Sequence, residues 1–227
     1  MADLKRLPRT LSSVPYIFTS LVPLSNIEKK QQRLLAEKLA KGTNFDHDEV
    51  RLLLLMIWYC SPTKINFDRG AFRQMLHGLF KMTDDIIMDR VFRMFDQDND
   101  GLISQKEWVN GMSTFLRSEG DERAKWAFQI YDLNNDGFIT REEMFHLLKN
   151  SMVKLANEED RDESIKDIVE MTNKKMDIDR DGRVSESDFV AATGKDRLLT
   201  QAFGKCLPRE ECVRAFRGIL EQFREQL

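Results

Sequence analysis

Asp96-Gln97-Asp98-Asn99-Asp100-Gly101-Leu102-Ile103-Ser104-Gln105-Lys106-Glu107 is the stretch on which the fold turns. Its pattern returns as Asp132-Leu133-Asn134-Asn135-Asp136-Gly137-Phe138-Ile139-Thr140-Arg141-Glu142-Glu143. It returns again as Asp177-Ile178-Asp179-Arg180-Asp181-Gly182-Arg183-Val184-Ser185-Glu186-Ser187-Asp188. Each places oxygen side chains at positions 1, 3, 5, 9 and 12, glycine at 6 and a β-branched apolar residue at 8. A hard cation such as Ca²⁺ takes six to eight oxygen ligands around a tightly turned backbone. The spacing supplies them. Asp96, Asp98, Asp100, Ser104 and Glu107 offer side chains in the first loop, with the Leu102 carbonyl at position 7. Asp132, Asn134, Asp136, Thr140 and Glu143 do so in the second, with the Phe138 carbonyl. Asp177, Asp179, Asp181, Ser185 and Asp188 do so in the third, with the carbonyl of Arg183. Glycine at 6 permits a positive φ without a Cβ clash.

Three such loops in register, each between apolar helical patterns, specify EF-hands. The third departs at position 12, where Asp188 is one methylene shorter than Glu107 or Glu143. Bidentate reach is then harder. Arg180 and Arg183 add positive charge inside the same loop, though position 7 gives only its carbonyl. A smaller, monodentate site favours Mg²⁺, which demands compact octahedral geometry. The Asp177 loop is therefore expected to bind Ca²⁺ more weakly or to hold Mg²⁺ at rest.

The repeat exposes a fourth hand that has lost its ligands. Asp132 follows Asp96 by 132 − 96 = 36 residues, and 36 residues before Asp96 stands Cys60. Aligned from there, Phe67 falls at position 8, Asp68 at 9, Ala71 at 12 and the apolar Phe72 just after, as Trp108, Met144 and Phe189 follow the live loops. Cys60, Pro62 and Lys64 replace the ligands at 1, 3 and 5, and Ile65 replaces the glycine. EF-hands pair through a short ribbon at positions 7 to 9, and an odd number leaves an edge unpaired. The degenerate hand should pair with the Asp96 loop, and the Asp132 loop with the Asp177 loop. The last spacing, 177 − 132 = 45, is nine longer than 36, and the acidic residues 157–163 read as a solvated insertion.

Apolar periodicity predicts helices over 27–39, 48–59, 84–95, 121–131, 142–155, 162–176 and 210–227. No stretch alternates strictly enough for a long strand. The expected fold is all-α: four hands, the first degenerate, paired in two lobes, with β ribbons of two-residue scale. The boundaries are an extension over 1–28, flexible or ordered by a partner, a first lobe over 29–117, a second over 118–207 and a C-terminal amphipathic helix over 208–227. At 227 residues, each lobe is large enough to bury its own core.

Fifteen Phe and eleven Met stand out. They fill cores, or line a groove that opens on Ca²⁺ binding, for which Met is suited by its adaptability. Phe145, Leu148, Met152, Ile168, Met171 and Phe189 are the groove candidates in the second lobe. The net charge of −3 would become +3 with three Ca²⁺ bound (−3 + 6 = +3). No basic stripe suits nucleic acid, and no nucleophile elbow, phosphate loop or zinc pattern points to an enzyme. Cys60, Cys206 and Cys212 lack a C-x-x-C pairing and suit free thiols. His47, His77 and His146 stand alone and read as packing or capping residues.

The ends carry the rest. Residues 1–28 hold Lys5, Arg6 and Arg9 with few acids, a composition shared with mitochondrial presequences. No apolar run there suits a secretory signal or a membrane span. Ala2 stands where N-myristoylation requires glycine, so no membrane anchor is expected. In 210–227, Val213, Phe216, Ile219, Leu220, Phe223 and Leu227 form one apolar face. This helix is expected to pack on the second lobe. The other reading makes it an intramolecular ligand lying in a target groove.

Several segments are more specific than a generic EF-hand. They are Ala71-Phe72-Arg73 through Met82-Thr83-Asp84-Asp85-Ile86-Ile87-Met88-Asp89-Arg90-Val91-Phe92-Arg93, then Glu142-Glu143-Met144-Phe145-His146-Leu147-Leu148-Lys149-Asn150-Ser151, and Ala202-Phe203-Gly204-Lys205-Cys206-Leu207-Pro208. Over about residues 29–208 the chain resembles the calaxin family of EF-hand sensors, within the wider neuronal calcium sensor group. The likeness includes the degenerate first hand and Asp188 at position 12. It implies a Ca²⁺ sensor of outer-arm dynein on the axoneme of cilia and flagella. The partners implied are a dynein heavy chain, the outer-arm docking complex and tubulin. A regulatory protein of the calcineurin B or neuronal sensor type, acting on a phosphatase or channel, would use the same loops. So would a pure Ca²⁺ buffer, which needs no groove.

Overall fold

The computed structural model describes residues 25–61, 63–151 and 158–224, with the backbone alone at 158–160 and 222–224. Among these the chain is helical apart from two short antiparallel ribbons. Strand β1 (Asn66–Asp68) pairs with β2 (Leu102–Ser104), setting Phe67 opposite Ile103. Strand β3 (Phe138–Ile139) pairs with β4 (Val184–Ser185), setting Ile139 opposite Val184. The degenerate hand thus keeps its partner, and the β-branched position 8 of each live loop is buried beneath its ribbon. The backbone contacts define two compact units: Met1–Thr83 with Phe95–Arg117 and Pro208–Leu227, and Asp84–Met94 with Ser118–Leu207.

The first unit contains α1 (Asn26–Ala40), α2 (His47–Cys60), α3 (Arg69–Phe80), α5 (Gln105–Arg117) and α10 (Glu210–Arg224). Capping boxes start α1 at Ser25 with Glu28 and α2 at Asp46 with Glu49. In the degenerate loop, Asp68 no longer faces a cation. Its carboxylate caps α3 by accepting from the Ala71 amide at 2.8 Å. Ser61 and Thr63 close that loop on the Asn66 carbonyl. The core is a run of rings, Phe67, Trp108, Phe72, Phe95, Phe115 and Phe80, with neighbouring centroids 4.9 to 6.2 Å apart. The Trp108 indole donates to the Leu53 carbonyl at 3.0 Å, so its one polar atom is satisfied.

Helix α10 corrects an expectation. It packs in the first unit, on α2 and α3, rather than on the second lobe. Phe216 meets Phe80 with centroids 5.8 Å apart, and the Cys212 thiol lies against the Phe80 carbonyl. Phe216, Ile219 and Leu220 are buried as one face, as the periodicity implies. Phe223 and Leu227 lie outside the described side chains. Periodicity shows that a helix has an apolar face, and says nothing of which neighbour receives it.

The second unit contains α6 (Gly120–Tyr131), α7 (Arg141–Ser151), α8 (Glu158–Met176) and α9 (Glu186–Lys195). It also takes most of α4 (Asp85–Phe95), which the sequence boundaries place in 29–117. Phe189 joins Phe128 and Tyr131 in the core, and the Tyr131 hydroxyl donates to the Gly204 carbonyl at 2.6 Å. Helix α8 starts at Glu158, four residues before the expected 162. Residues 158–163 are therefore helical, not an insertion between helices. Carboxylates suit the positive end of a helix dipole, so an acidic run is a good first turn. All three cysteines are free, and burial pushes the Cys206 thiol up to about 12.

Candidate metal centres

Each live loop folds around its own carboxylates in one repeated scheme. The position 6 amide donates to the position 1 carboxylate at 3.0 Å in all three: Gly101 to Asp96, Gly137 to Asp132, Gly182 to Asp177. These glycines have φ of 83°, 87° and 93°, which only glycine adopts freely. The position 5 carboxylate accepts from the position 7 amide, Asp100 from Leu102, Asp136 from Phe138 and Asp181 from Arg183, at 2.7 to 2.9 Å. The position 9 hydroxyl donates to position 12, Ser104 to Glu107, Thr140 to Glu143 and Ser185 to Asp188, at 2.6 to 2.9 Å. In two of the loops carboxylate oxygens are drawn to one centre. Ligand oxygens of Asp96, Asp98 and Glu107 lie within 4.8 Å of one another, as do those of Asp177, Asp179 and Asp181. In the Asp132 loop, Asn134 supplies an amide oxygen where its neighbours have carboxylates.

Position 12 separates the third loop from the others. Glu107 reaches across its loop to accept from the Gln97 and Asp98 amides at 2.9 and 3.4 Å. Glu143 does the same with the Leu133 and Asn134 amides at 2.9 and 3.2 Å. Burial pushes the Glu107 carboxyl up, but the Ser104 hydroxyl and the amides of Ser104, Gln97 and Asp98 outweigh it. The group is held below the usual carboxylate range. Asp188 is bonded to the Ser185 amide and hydroxyl, at the near side of its loop only. Asp177 Oδ1 is buried without a hydrogen-bond partner. A buried anionic oxygen without a partner, in a loop that gathers two further carboxylates, is costly unless a cation joins them. The donor set is all oxygen, as a hard divalent ion requires, so the residues fit the metal that their spacing implies.

The side chains at position 7 take a further part. The Arg183 guanidinium stacks on the Phe138 ring, 3.8 Å from its centroid, joining the two loops of the pair. It also approaches Asp181 at 3.8 Å, opposing a cation there. Arg141 bridges the same loops, donating to the Gly182 carbonyl at 2.6 Å and to Glu170 at 2.8 Å.

Sequence reasoning missed three features. Asn99, Asn135 and Arg180 at position 4 all adopt the left-handed conformation, and the repeated asparagine was the signal. Arg141 at position 10 has no local signature. Arg90 stands on the apolar stripe of α4, and a charge in that place was itself a clue. Of the groove candidates, Phe189 and Leu148 are buried core residues, Phe145 and Ile168 are half-buried, and Met171 is 63% exposed. Met152 lies outside the described residues.

Comparison with known proteins agrees with this geometry. The EF-hand domain pair family matches residues 121–194, and the EF hand domain family matches residues 87–115. Calaxin of Bos taurus is 48% identical over 190 residues, covering 80% of this chain and 90% of the relative. Calaxin of Xenopus laevis is 54% identical over 154 residues, covering 68% and 74%. Calcineurin B of Candida glabrata is more distant, 31% identical over 160 residues, covering 70% and 87%. With EF-hand loops whose oxygens converge as described, and these relatives over most of its length, the chain is a Ca²⁺-binding sensor protein that belongs to the calaxin family.

Proposed function

We propose that this protein carries three cation sites and adjusts the motility of cilia and flagella by regulating outer-arm dynein. It works by Ca²⁺-dependent binding and performs no catalysis. The observation that carries the three-site reading is the shared hydrogen-bond scheme of the Asp96, Asp132 and Asp177 loops, in which the position 6 amide holds the position 1 carboxylate and the position 9 hydroxyl holds the position 12 carboxylate. The Asp96 and Asp132 loops are the Ca²⁺ sites of sensor affinity, roughly 10⁻⁷ to 10⁻⁵ M. The Asp177 loop holds Mg²⁺ when Ca²⁺ is low, because Asp188 is short and Arg183 lies beside Asp181.

The partners are a dynein heavy chain, the outer-arm docking complex and tubulin, and the site of action is the axoneme. Family membership supports this reading. Among the described residues no helix is long and apolar enough to cross a membrane. Helix α10 occupies the apolar face of α2 and α3, where a partner helix would lie. Ca²⁺ in the Asp96 loop loosens that seat and lets the partner displace α10. A pull-down with the full chain, from axonemes and from whole cytosol, at high and low Ca²⁺, is the test. Recovery of dynein heavy chain from axonemes at high Ca²⁺ supports the reading. Recovery of a phosphatase or channel protein from cytosol instead would overturn it in favour of the calcineurin B type of role.

A further inference from the structure

We propose that Arg90 is a positioning residue for the Asp132 site and couples its filling to that of the Asp96 site. The inference rests on the calcium reading above and goes beyond it. Arg90 is 7% exposed, on a helix that belongs to the preceding hand. Its guanidinium donates to five acceptors. Nε meets the Ile130 carbonyl at 3.1 Å, and Nη1 meets that of Leu133 at 3.3 Å. Nη2 meets the carbonyls of Gln129 at 2.6 Å and Asp132, and Asn135 Oδ1 at 2.8 Å.

These acceptors are two carbonyls in the last turn of α6, the first two of the calcium loop and the side chain of its left-handed position 4. The terminal carbonyls of a helix lack intrahelical partners and carry its negative dipole end, so an arginine fork suits them. By holding carbonyls of the chain before and after Tyr131, among them that of Asp132 itself, the fork fixes the direction of the first calcium ligand. It does so at an electrostatic cost. A guanidinium near Asp132 and Glu143 opposes a cation between them, so attraction of the metal does not explain its place.

The link between the two sites is covalent. Arg90 precedes Asp96 by six residues (96 − 90 = 6), ~9 Å along one helix that ends at Phe95. Asp96 is the first ligand of its own loop, so a cation there fixes the last turn of α4. Helix shifts at the interfaces of switching proteins are about 1–2 Å, and a directional five-bond fork does not survive a shift of that size unchanged. Arg90 grips Asp132 here while α4 runs as an unbroken helix to Phe95. Filling the Asp96 site therefore favours the filling of the Asp132 site, and linkage makes the effect mutual.

The position 6 amides give a reporter for each loop, because each donates to its own position 1 carboxylate. Ca²⁺ titrations of the full chain, followed by NMR at Gly101 and Gly137, are compared for wild type, Glu107→Gln, Arg90→Gln and the double variant. With Arg90 present, Glu107→Gln should raise the Gly137 midpoint by about fivefold or more, the lower end of allosteric couplings. With Arg90→Gln, the same change should move it less than about twofold. Arg90→Lys keeps the charge without the fork and should also lose most of the coupling. It carries the test if Arg90→Gln fails to fold. A Gly137 midpoint that Glu107→Gln leaves unmoved, or moves equally with and without Arg90, overturns the proposal. Should neither Gly101 nor Gly137 respond to Ca²⁺ in the wild type, the calcium reading itself falls.

Discussion

Phe216 of α10 and Phe80 at the end of α3 face each other with ring centroids 5.8 Å apart and planes inclined at 49°. Both rings are buried, and Phe80 passes the contact on to Phe115 at 5.2 Å. The C-terminal helix is thus tied into the aromatic core of the first unit rather than laid on its surface. Phe216→Ala removes the ring and leaves a cavity. It is expected to cost about 3–5 kcal/mol, read from a denaturant midpoint. Deleting residues 210–227 should raise the binding of an apolar dye, and more so with Ca²⁺. Equal dye signal in the full and shortened chains would mean that α10 covers no groove.

Glu107→Gln and Glu143→Gln each replace a carboxylate that closes a loop from position 12. An amide keeps the shape and the hydrogen bonds of one oxygen, so the fold should survive. The metal loses a charged, bidentate ligand. Each variant should lose one site in a calorimetric Ca²⁺ titration of the wild-type stoichiometry. Unchanged stoichiometry in both would refute the assignment of these loops.

Gly111→Ala tests the packing beneath the Asp96 loop. A Cβ on Gly111 would stand 2.7 Å from Phe95 Cγ, inside the ring cluster of Phe72, Trp108 and Phe115. Alanine favours a helix over glycine by about 1 kcal/mol. Overpacking a rigid core costs about 1–3 kcal/mol, so the net effect is a loss of stability. Because Phe95 is the last residue of α4, the Asp96 site should also weaken. A variant as stable as wild type in urea would show that the ring moves aside freely.

The loops were legible because a coordination sphere imposes residue types at fixed spacing within twelve positions, and no distant neighbour alters that demand. The ribbon pairing followed from the repeat, since Phe67 and Ile103 occupy the same position 8. The reuse of Asp68 as the cap of α3 was not read, although a residue that loses its metal keeps its carboxylate. What stayed hidden was tertiary. The face of α10 could be drawn, but which unit receives it depends on the free surface of α2 and α3. Arg90 and Arg141 act over 39 to 45 and 29 to 41 residues of sequence, and no local pattern encodes such reach.

Asp188→Glu should strengthen Ca²⁺ relative to Mg²⁺ in the Asp177 loop. Glu107 and Glu143 show what the longer side chain achieves in the same frame. One oxygen bonds the position 9 hydroxyl while the other reaches the amides at positions 2 and 3. Asp188 keeps only the first of these links, and Asp177 Oδ1 across the loop has no partner. An added methylene spans that gap and brings a second oxygen to the cation. A seventh oxygen suits Ca²⁺ at 2.3–2.6 Å and exceeds the six that Mg²⁺ accepts at 2.0–2.1 Å. Arg183 remains beside Asp181 in the variant, so the change isolates ligand reach from charge. Competition titration with Mg²⁺ present, followed at the Gly182 amide, reads the ratio directly. If that ratio equals the wild-type value, reach at position 12 does not set the selectivity, and Arg183→Ala becomes the variant that should shift it.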